Sequence, residues 1–508
     1  MRTTGGLRLS FASRPASDAA LTILHTGDSI AVLTQAKLPQ VYRDEGAFDR
    51  RAYLSEQGVD LVGALRAPKL LELIQPGGKN ISSWIARARQ RLRVEIDALA
   101  PGVPGVAGIL RAILLGERTF VDRGEAVDFQ KTGAFHVLVV AGLHVGAIAA
   151  VLFWIGRKLR WPRVYTVLLT LLLLAAYVSV VEQRTPVLRA ALMAAMVLLG
   201  SLFFRRLELL NSAAMAALVL LVARPLALRD SSFQLSFLAI GCIAGIALPW
   251  LEATVQPYAR ALHGWRDVTK DVSHEPRPTQ FRIDVRSFAR FAEARLPVRI
   301  ARMPATLLAT GLAFLFRTWE LFVLTLVLQI GMLPVMAAEF HRITFAGPFV
   351  NFAAVPLTAV IVPAGFFVLM IGLASPALGK LLALPLSWVT LELVDVVQWF
   401  SHMRAMSYRV PGPPVWVMVT FLVVLAGVAI IFRINVPRRR LVTATLYAAL
   451  AALVVIIATS PFAPQWSAGK LEVSILDVGQ GDALFVVSPG GKTLLMDGGG
   501  AFGGFPGH

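Results

Sequence analysis

The chain has 508 residues, of which 56% are hydrophobic and 16% are charged, and its mean hydropathy is +0.66. A soluble protein of this length would need far more polar surface to cover its core, so the composition excludes an ordinary soluble globular protein. The formal net charge of +18 does not define a ligand, because basic residues beside membrane spans usually set topology. A single cysteine, Cys242, excludes an internal disulfide.

The first 133 residues mix polar and apolar segments. Short β-like runs predict a small β-rich region over residues 1–80, and residues 81–133 predict amphipathic or interfacial helices. The stretch GVAGILRAILLG is apolar but short and contains Arg111, so we expect it at an interface rather than across the membrane.

Residues 134–460 form a hydrophobic block of about ten apolar runs, each near the roughly 20 residues needed to cross a bilayer. The predicted spans are 135–156, 163–181, 187–204, 208–226, 232–251, 319–339, 345–372, 378–400, 414–432 and 441–459. The more basic connecting segments then fall on one side, which the positive-inside rule makes cytoplasmic. Both ends of the chain become extracytoplasmic, provided that residues 304–318 are a non-spanning or re-entrant piece.

The first predicted span carries residues that a simple anchor does not need, namely His136, Gly142, His144 and Gly146. Ionisable residues within spans usually face a bundle interior or a water-filled path. Glycines four residues apart permit close helix contact or a local break. For each histidine two interpretations stay open. It donates to a passing phosphate or positions a gate, or it forms a hydrogen bond that fixes helix packing.

Other polar residues of the block allow the same two interpretations. Gln234 and Ser236, in the run SSFQLSF, are predicted to line a pore or to join helices. Glu392 and Asp395 lie one helical turn apart and are expected to be a structural or gating pair, because carboxylates on a pore wall would repel DNA.

The long cytoplasmic loop 255–303 contains a predicted amphipathic helix with arginines on one face and phenylalanines on another. The arginines are Arg282, Arg286 and Arg290. The pattern favours a basic helix lying on the anionic inner leaflet. The alternative is a docking surface for a cytoplasmic partner or a polyanion.

Several separate motifs, in order, resemble the ComEC family of competence DNA-internalisation channel proteins. The central run matches the family signature at Leu114–Arg118, at Thr132 and Gly133, at His136, and at Gly142–Val145, with Ala141 where the family usually has serine. Further matches begin at Arg189, at Leu210 and at Ser231. The stretch EGAFDRRAYLSEQGV upstream and LDVGQGDALFVVSPGGKTLLMDGGG near the end are also similar to family segments.

The resemblance implies a membrane channel that takes up single-stranded DNA across the bacterial cytoplasmic membrane during natural transformation. It implies a polytopic α-helical protein with a partial OB-like region at the N-terminal end and a truncated start of a metallo-β-lactamase-like domain at 466–508. The residues assigned to the DNA path are His136, Gly142, His144, Gly146, Arg189, Gln234 and Ser236. Expected partners are single-stranded DNA, membrane lipids, a competence DNA receptor, a cytoplasmic ATP-driven motor and further copies of the chain.

Arg50, Arg51 and Tyr53 form a basic and aromatic cluster of the kind that binds a nucleic-acid strand. Arginine and tyrosine on any half-exposed surface would look the same. The resemblance favours the DNA-binding interpretation.

No catalytic residue and no metal site are assigned. The metal ligands of metallo-β-lactamase-like folds are expected in an HxHxDH motif after the strand that ends in DGG, and the sequence stops at His508 before such a motif. Asp497 is expected to cap a turn, and a divalent metal is expected only in a complete domain. Two alternatives stay open, a small-solute secondary permease, and a membrane-anchored metal-dependent nuclease if the chain continues beyond 508.

Overall fold

The computed structural model forms two compact units, residues 1–90 with 462–508, and residues 91–461. The residues that it describes are 5–11, 24, 27–44, 47, 49–56, 58–65, 67–77, 81–100, 105–138, 142–181, 185–202, 209–295, 303–403, 406–434, 439–462, 469–479 and 481–498.

The N-terminal part of the first unit is built from two strand pairs and a short helix. The elements are β1 (Leu7–Phe11), β2 (Ser29–Val32), α1 (Arg50–Glu56), β3 (Leu61–Leu65) and β4 (Leu71–Gln75). Strand β1 pairs in parallel with β3, and β2 pairs antiparallel with β4. Helix α1 begins after Asp49, whose side chain accepts a hydrogen bond from the Ala52 N–H at 2.9 Å, as an N-cap does.

The second unit is helical. Its first helices are α2 (Ile81–Leu99, which begins in the first unit), α3 (Val106–Leu115), α4 (Arg123–Lys131), α5 (Gly142–Lys158), α6 (Arg163–Val180), α7 (Thr185–Leu202), α8 (Leu209–Ala223) and α9 (Ser231–Cys242). A π-helical turn, Ile243–Ala247, joins α9 to α10 (Leu248–Thr254), which is followed by α11 (Gln256–Ala261) and α12 (Pro276–Glu293).

The long helices follow. They are α13 (Met303–Phe340), α14 (Gly347–Ala374), α15 (Pro376–Ser401), α16 (Val415–Ile431) and α17 (Arg439–Thr459). Two short strands, β5 (Arg342–Thr344) and β6 (Ser407–Arg409), pair antiparallel beside them. After α17 the chain returns to the first unit with an antiparallel meander of β7 (Glu472–Ile475), β8 (Leu484–Val487) and β9 (Thr493–Met496).

Six helical segments among the described residues are long and apolar enough to cross a membrane. They are 163–180, 231–254, 303–340, 347–374, 376–401 and 439–459. Shorter apolar helices at 186–202, 209–223 and 415–431 coincide with three more predicted spans. The molecule is therefore mainly helical, as a multi-pass membrane protein is, and the count of ten spans stays a prediction.

One predicted span and one predicted non-spanning segment differ from the structure. The predicted span 135–156 is not one helix, because a 3-10 turn covers Ala134–Leu138 and α5 begins only at Gly142. Residues 304–318 were expected to be non-spanning or re-entrant, yet they belong to the continuous helix α13 of 38 residues. That helix is about 57 Å long, well over the roughly 30 Å of a hydrocarbon core, so a re-entrant loop at this position is wrong.

The core of the second unit is a helical hairpin, α14 and α15, wrapped by the shorter helices that precede the membrane block. Helix α3 is almost fully buried there, with Ile109, Ala112 and Ile113 at 0% exposure. Gly365 of α14 allows this approach, since a Cβ atom on that residue would lie 3.0 Å from the Leu114 methyl groups. The short apolar stretch around Arg111 is therefore buried in a protein core, and its position relative to the membrane stays a prediction.

The turn between α14 and α15 packs against α2. A Cβ atom on Gly379 would lie 2.9 Å from Leu99 Cδ2, and one on Gly372 would lie 3.2 Å from the same atom. The predicted topology places residues 81–133 outside the cell and this turn in the cytoplasm. Residues in contact cannot lie on opposite sides of a membrane, so these two placements are incompatible.

The two ends of the chain contact each other within the first unit. The Arg43 N–H donates to Asp477 Oδ2 at 3.1 Å, and the Asp477 N–H donates to Asp44 Oδ1 at 2.9 Å. Both ends therefore lie on the same side of any membrane that the chain crosses between them. The number of complete crossings is even.

Two arginines of α12 bind the loop that precedes the helix and are not exposed to lipid or to a partner. Arg282 is fully buried and donates to Asp271 and to the carbonyl oxygens of Ala261, Gly264 and Asp267 at 2.6–3.0 Å. Arg286 is 9% exposed and also binds Asp271. Only Arg290 of the three is exposed, so the predicted basic face for lipid or polyanion is wrong for the first two arginines.

Candidate functional site

The most buried charge among the assigned path residues is Arg189, near the start of α7, which is 2% exposed. Its Nη2 atom donates to the hydroxyls of Ser232 and Ser236 on α9, at 2.7 and 2.9 Å. Its Nη1 atom lies 3.9 Å from Asp230 Oδ2, an ion pair at the long limit. The structure thus brings together two residues that the sequence assigned to the DNA path, Arg189 and Ser236.

The local sequence explains this geometry. Asp230 caps α9 by accepting from the Ser232 N–H at 3.0 Å, which fixes the start of the helix beside α7. Ser232 and Ser236 are four residues apart and therefore share one face of α9, the face that meets Arg189. Ser231 points elsewhere and donates to Glu339 Oε2 of α13 at 2.6 Å.

Gln234, also assigned to the DNA path, has a different partner. Its side-chain amide donates to the Leu228 carbonyl at 3.0 Å, which ties the 3-10 turn Pro225–Arg229 to α9. The structure therefore gives Gln234 a local structural contact and does not bring it to the Arg189 guanidinium.

The Arg189 guanidinium has unused capacity. A guanidinium carries five N–H donors, and a buried arginine is expected to satisfy them because an unpaired buried donor is costly. Within the part of the chain that the structure describes, the buried Nε atom of Arg189 has no hydrogen-bond acceptor. The site, which we call the Arg189 cluster (Arg189, Asp230, Ser232 and Ser236), therefore keeps one buried donor, which an anionic or carbonyl oxygen would reach only if the surrounding helices opened.

A second buried charge lies in the signature LLGER. Glu117 is 3% exposed, and both of its oxygens accept from Arg93 Nε, at 2.6 and 2.8 Å. This pair joins α2 to the loop after α3. The neighbouring Arg118 lies over the Phe135 ring at 5.2 Å, a cation–π distance.

The signature pair Thr132–Gly133 forms a close junction with β5. Gly133 has φ +75°, a left-handed conformation that suits glycine and ends α4. A Cβ atom there would lie 3.0 Å from Thr344 Cγ2. Gln329 Nε2 of α13 donates to the Thr344 carbonyl at 2.7 Å, so the junction also includes α13.

The two histidines of the first predicted span occupy different environments. His136 lies in the 3-10 turn, is exposed, and its Nδ1 atom is 3.0 Å from the Gly133 carbonyl. His144 is 1% exposed on α5. Neither histidine joins the Arg189 cluster. The burial of His144 agrees with its packing interpretation in this conformation and leaves its role in a DNA path as a prediction.

Gly142 and Gly146 do not bring helices together. Both are exposed on α5, and among the described residues nothing lies within 4 Å of a Cβ atom built on either. The break is the better of the two interpretations, because α5 begins at Gly142.

The N-terminal cluster is built on α1. Arg51 and Tyr53 are exposed, Tyr53 by 49%, and Arg50 is half-buried. Arg50 and Tyr53 are three residues apart and share one face of the short helix. This geometry is compatible with binding a nucleic-acid strand, but it is not evidence for such binding.

The C-terminal aspartates are engaged locally. Asp477 accepts from Arg43, as described above, and Asp497 has φ +57° and accepts from the Gly498 N–H at 2.6 Å, in agreement with a turn role. No group of three or more His, Cys, Asp or Glu residues among the described residues is placed to hold a metal ion. His508 lies outside those residues.

Sequence reasoning missed a chain of aromatic rings. Trp319 stacks on Phe322 at 5.7 Å between ring centroids, and Phe322 on Phe352 at 6.2 Å. Trp250 lies 6.5 Å from Trp319 at the near end. The spacing of Trp319 and Phe322, one helical turn on α13, was the available signal, but their partners come from distant α10 and α14.

Buried charged contacts between apolar helices, with six candidate spans, define a multi-pass α-helical membrane protein. Residues 113–435 match the sequence profile of the Competence protein family, and this is more than half of the chain. The chain belongs to that family, and the resemblance seen in the sequence is confirmed.

Three relatives show how far the similarity extends. The chain is 25% identical over 463 residues to ComE operon protein 3 of Bacillus subtilis, which is 89% of this chain and 49% of that protein. It is 24% identical to Recombination protein 2 of Haemophilus influenzae over 39% of this chain and 24% of the relative. It is 30% identical to Competence protein ComA of Neisseria gonorrhoeae over 22% and 16%. The chain spans about half the length, or less, of these relatives, and no solved structure matches it significantly.

Proposed function

We propose that this chain forms the membrane channel through which single-stranded DNA enters the cell during natural transformation. The observation that carries the proposal is the match of residues 113–435 to the Competence protein family, which covers the helices that hold the Arg189 cluster and most of the candidate spans. The names of two relatives link them to competence and recombination.

In this proposal the Arg189 cluster contributes to the DNA path. A buried guanidinium with a free donor favours a phosphate oxygen, and serine hydroxyls beside it can reorient as acceptors or donors. A DNA strand needs space for its bases and hydrogen-bond donors for its phosphates. The Arg189 cluster supplies donors. His136, His144, Gly142 and Gly146 are proposed as further residues of the path, with Arg50, Arg51 and Tyr53 as a strand-binding surface outside the membrane.

The finer placement follows from charge. We place the protein in the bacterial cytoplasmic membrane with both end regions extracytoplasmic, since the basic loops then lie inside. The chain has no GxxxxGK(S/T) phosphate loop, so energy would come from a cytoplasmic ATP-driven motor, and duplex DNA from a surface receptor. A homo-oligomer is part of this proposal.

The test uses Arg189→Gln in the complete gene of a transformable host. We expect cells to bind labelled duplex DNA at their surface normally while nuclease-protected internal DNA falls on the order of tenfold or more, the effect of losing a charge-assisted contact. The control is Arg224→Gln, an exposed arginine at the end of α8.

Both variants must be quantified in the membrane fraction of the same cells. Normal uptake by Arg189→Gln at normal abundance would overturn a role for the cluster. Normal transformation of a strain lacking the whole gene would overturn the proposed function.

A further inference from the structure

An apolar groove runs between α9 with its π-helical turn and α16. Its volume is about 390 Å³, and its walls include Leu238, Gly241 and Gly245 on one side and Leu422 and Ala426 on the other. Arg433, just beyond the end of α16, also lines the groove. Within the described residues, this guanidinium is the only charge among the side chains that line it.

Small residues and the π-helical turn make the groove. Among the described residues no atom lies within 4 Å of a Cβ atom built on Gly241, so the missing side chain leaves space at that position. At Gly245 a Cβ atom would lie 3.0 Å from Ala429 Cβ, so the two walls touch at that level. A π-helical turn is rare and costs regular hydrogen bonding, and such turns often occur at functional sites.

The lining selects an occupant with a long apolar body and an anionic end. We propose that the groove binds one acyl chain of an anionic phospholipid from the surrounding bilayer, with the lipid phosphate on Arg433. Arg433 is exposed and lines the groove, and Arg439 and Arg440 at the start of α17, the next helix in the sequence, are exposed too. Basic pockets between membrane helices on the cytoplasmic side are typical sites for anionic head groups.

The position of Leu210 supports the same orientation. Leu210 lines the groove together with Arg433, and it follows Arg205 and Arg206 closely in the sequence. The helix α8 that carries Leu210 therefore follows a basic stretch of sequence, and α17 begins with Arg439 and Arg440.

The test is lipid retention by the purified full chain. The protein in detergent is incubated with equal amounts of phosphatidylglycerol and phosphatidylcholine, and bound lipid is counted by native mass spectrometry. We expect the unmodified chain to retain phosphatidylglycerol preferentially. Gly241→Leu, which adds a side chain at a groove position whose Cβ atom would meet no described atom within 4 Å, is expected to lower the retained lipid on the order of tenfold, because the acyl chain loses its buried methylene contacts.

The head-group contact is tested separately. Arg433→Gln should keep lipid binding while abolishing the preference for the anionic lipid. The matched controls are Gly311→Leu, a helix glycine of α13 that also has nothing within 4 Å of a Cβ atom, and Arg224→Gln. Ala426→Leu, from the opposite wall, repeats the groove test if Gly241→Leu folds poorly.

Retention by Gly241→Leu and Ala426→Leu equal to that of the unmodified chain would overturn the proposal. An equal loss in Gly311→Leu would also overturn it, since the lipid would then be bound by the general surface.

Discussion

Arg282 Nε donates to Asp271 Oδ1 at 2.7 Å, and this contact ties the 3-10 turn Val268–Ser273 to α12. Arg286 binds the same carboxylate, and hydrogen bonds first from Arg286 and then from Arg282 lower the pKa of Asp271 to about 2. The loop from Leu262 to His274 is therefore organised around one carboxylate and two arginines.

Asp271→Asn should destabilise this loop, because two buried or nearly buried guanidinium groups would lose their charge partner. The depressed pKa gives the sign of the pH effect. The stabilisation is present above about pH 4, the usual Asp pKa, and is lost as the pH falls toward about 2. Limited proteolysis at 262–275 between pH 5 and pH 2.5 measures it, and Asp284→Asn, an exposed aspartate of α12, is the control.

A single pH-independent cleavage pattern shared by the unmodified chain and Asp271→Asn would contradict this account. It would mean that the backbone contacts of Arg282 suffice without the carboxylate.

Glu117→Gln should lower the thermal stability of the second unit. The carboxylate is buried and binds Arg93 with both oxygens, but Arg93 is about one-third exposed, so solvent screens part of the loss. We expect a cost of about 1–3 kcal/mol, measured as a lower unfolding temperature in detergent. Asp128→Asn is the matched control, since its pair with Lys131 is 3.7 Å long and more exposed.

Gly379→Ala should be far more damaging than a typical glycine replacement in a helix. A Cβ atom there would lie 2.5 Å from the Gly372 Cα atom, and backbone cannot move aside as a side chain can. The α14–α15 turn would have to open, at a cost on the order of 2 kcal/mol or more. Gly311→Ala, with open space at its Cβ position, should be neutral or stabilising. Equal melting temperatures of the two variants would contradict the close approach.

Much of the second unit was accessible from the sequence, because a long apolar run has few structural solutions in a bilayer. The run SSFQLSF indicated helix contacts, and the structure supplies them through Ser232 and Ser236. What the sequence could not supply was the partner of each charge. The spacing of Arg282 and Arg286 correctly predicted that both lie on one face of the helix. That face is buried, because the arginines bind a carboxylate and carbonyl groups more than ten residues upstream.

The same limit explains the first predicted span. Hydropathy treats Phe135–Gly156 as one apolar run, whereas the 3-10 turn Ala134–Leu138 follows directly after Gly133, which packs against Thr344, some 200 residues away in the sequence. The sequence-based prediction was weakest for the first unit, which both ends of the chain form, because a two-residue period in short strands does not specify which strands pair.

The last prediction concerns the side on which the α14–α15 turn lies. Because the turn packs against Leu99, the turn and the end of α2 must lie on the same side of the membrane. The topology predicted from the basic loops places them on opposite sides. Lys380 is the only basic residue near the turn, so the charge signal there is weak and the packing should prevail. If the turn stays on the same side as α2, neither α14 nor α15 crosses the membrane completely. Two crossings are then lost and the number of crossings stays even, as the contact between the chain ends requires.

The measurement uses Cys242→Ala as a cysteine-free background, with single cysteines at Val94 on α2, at Ala377 in the turn and at Val272 in the 255–303 loop, all exposed positions. An impermeant thiol reagent is applied to intact cells and then to opened cells. We expect Val94→Cys and Ala377→Cys to react under the same condition, and Val272→Cys only after opening. Opposite behaviour of Val94→Cys and Ala377→Cys would show that α14 crosses completely, and the observed packing of Leu99 against Gly372 and Gly379 would then have to be wrong.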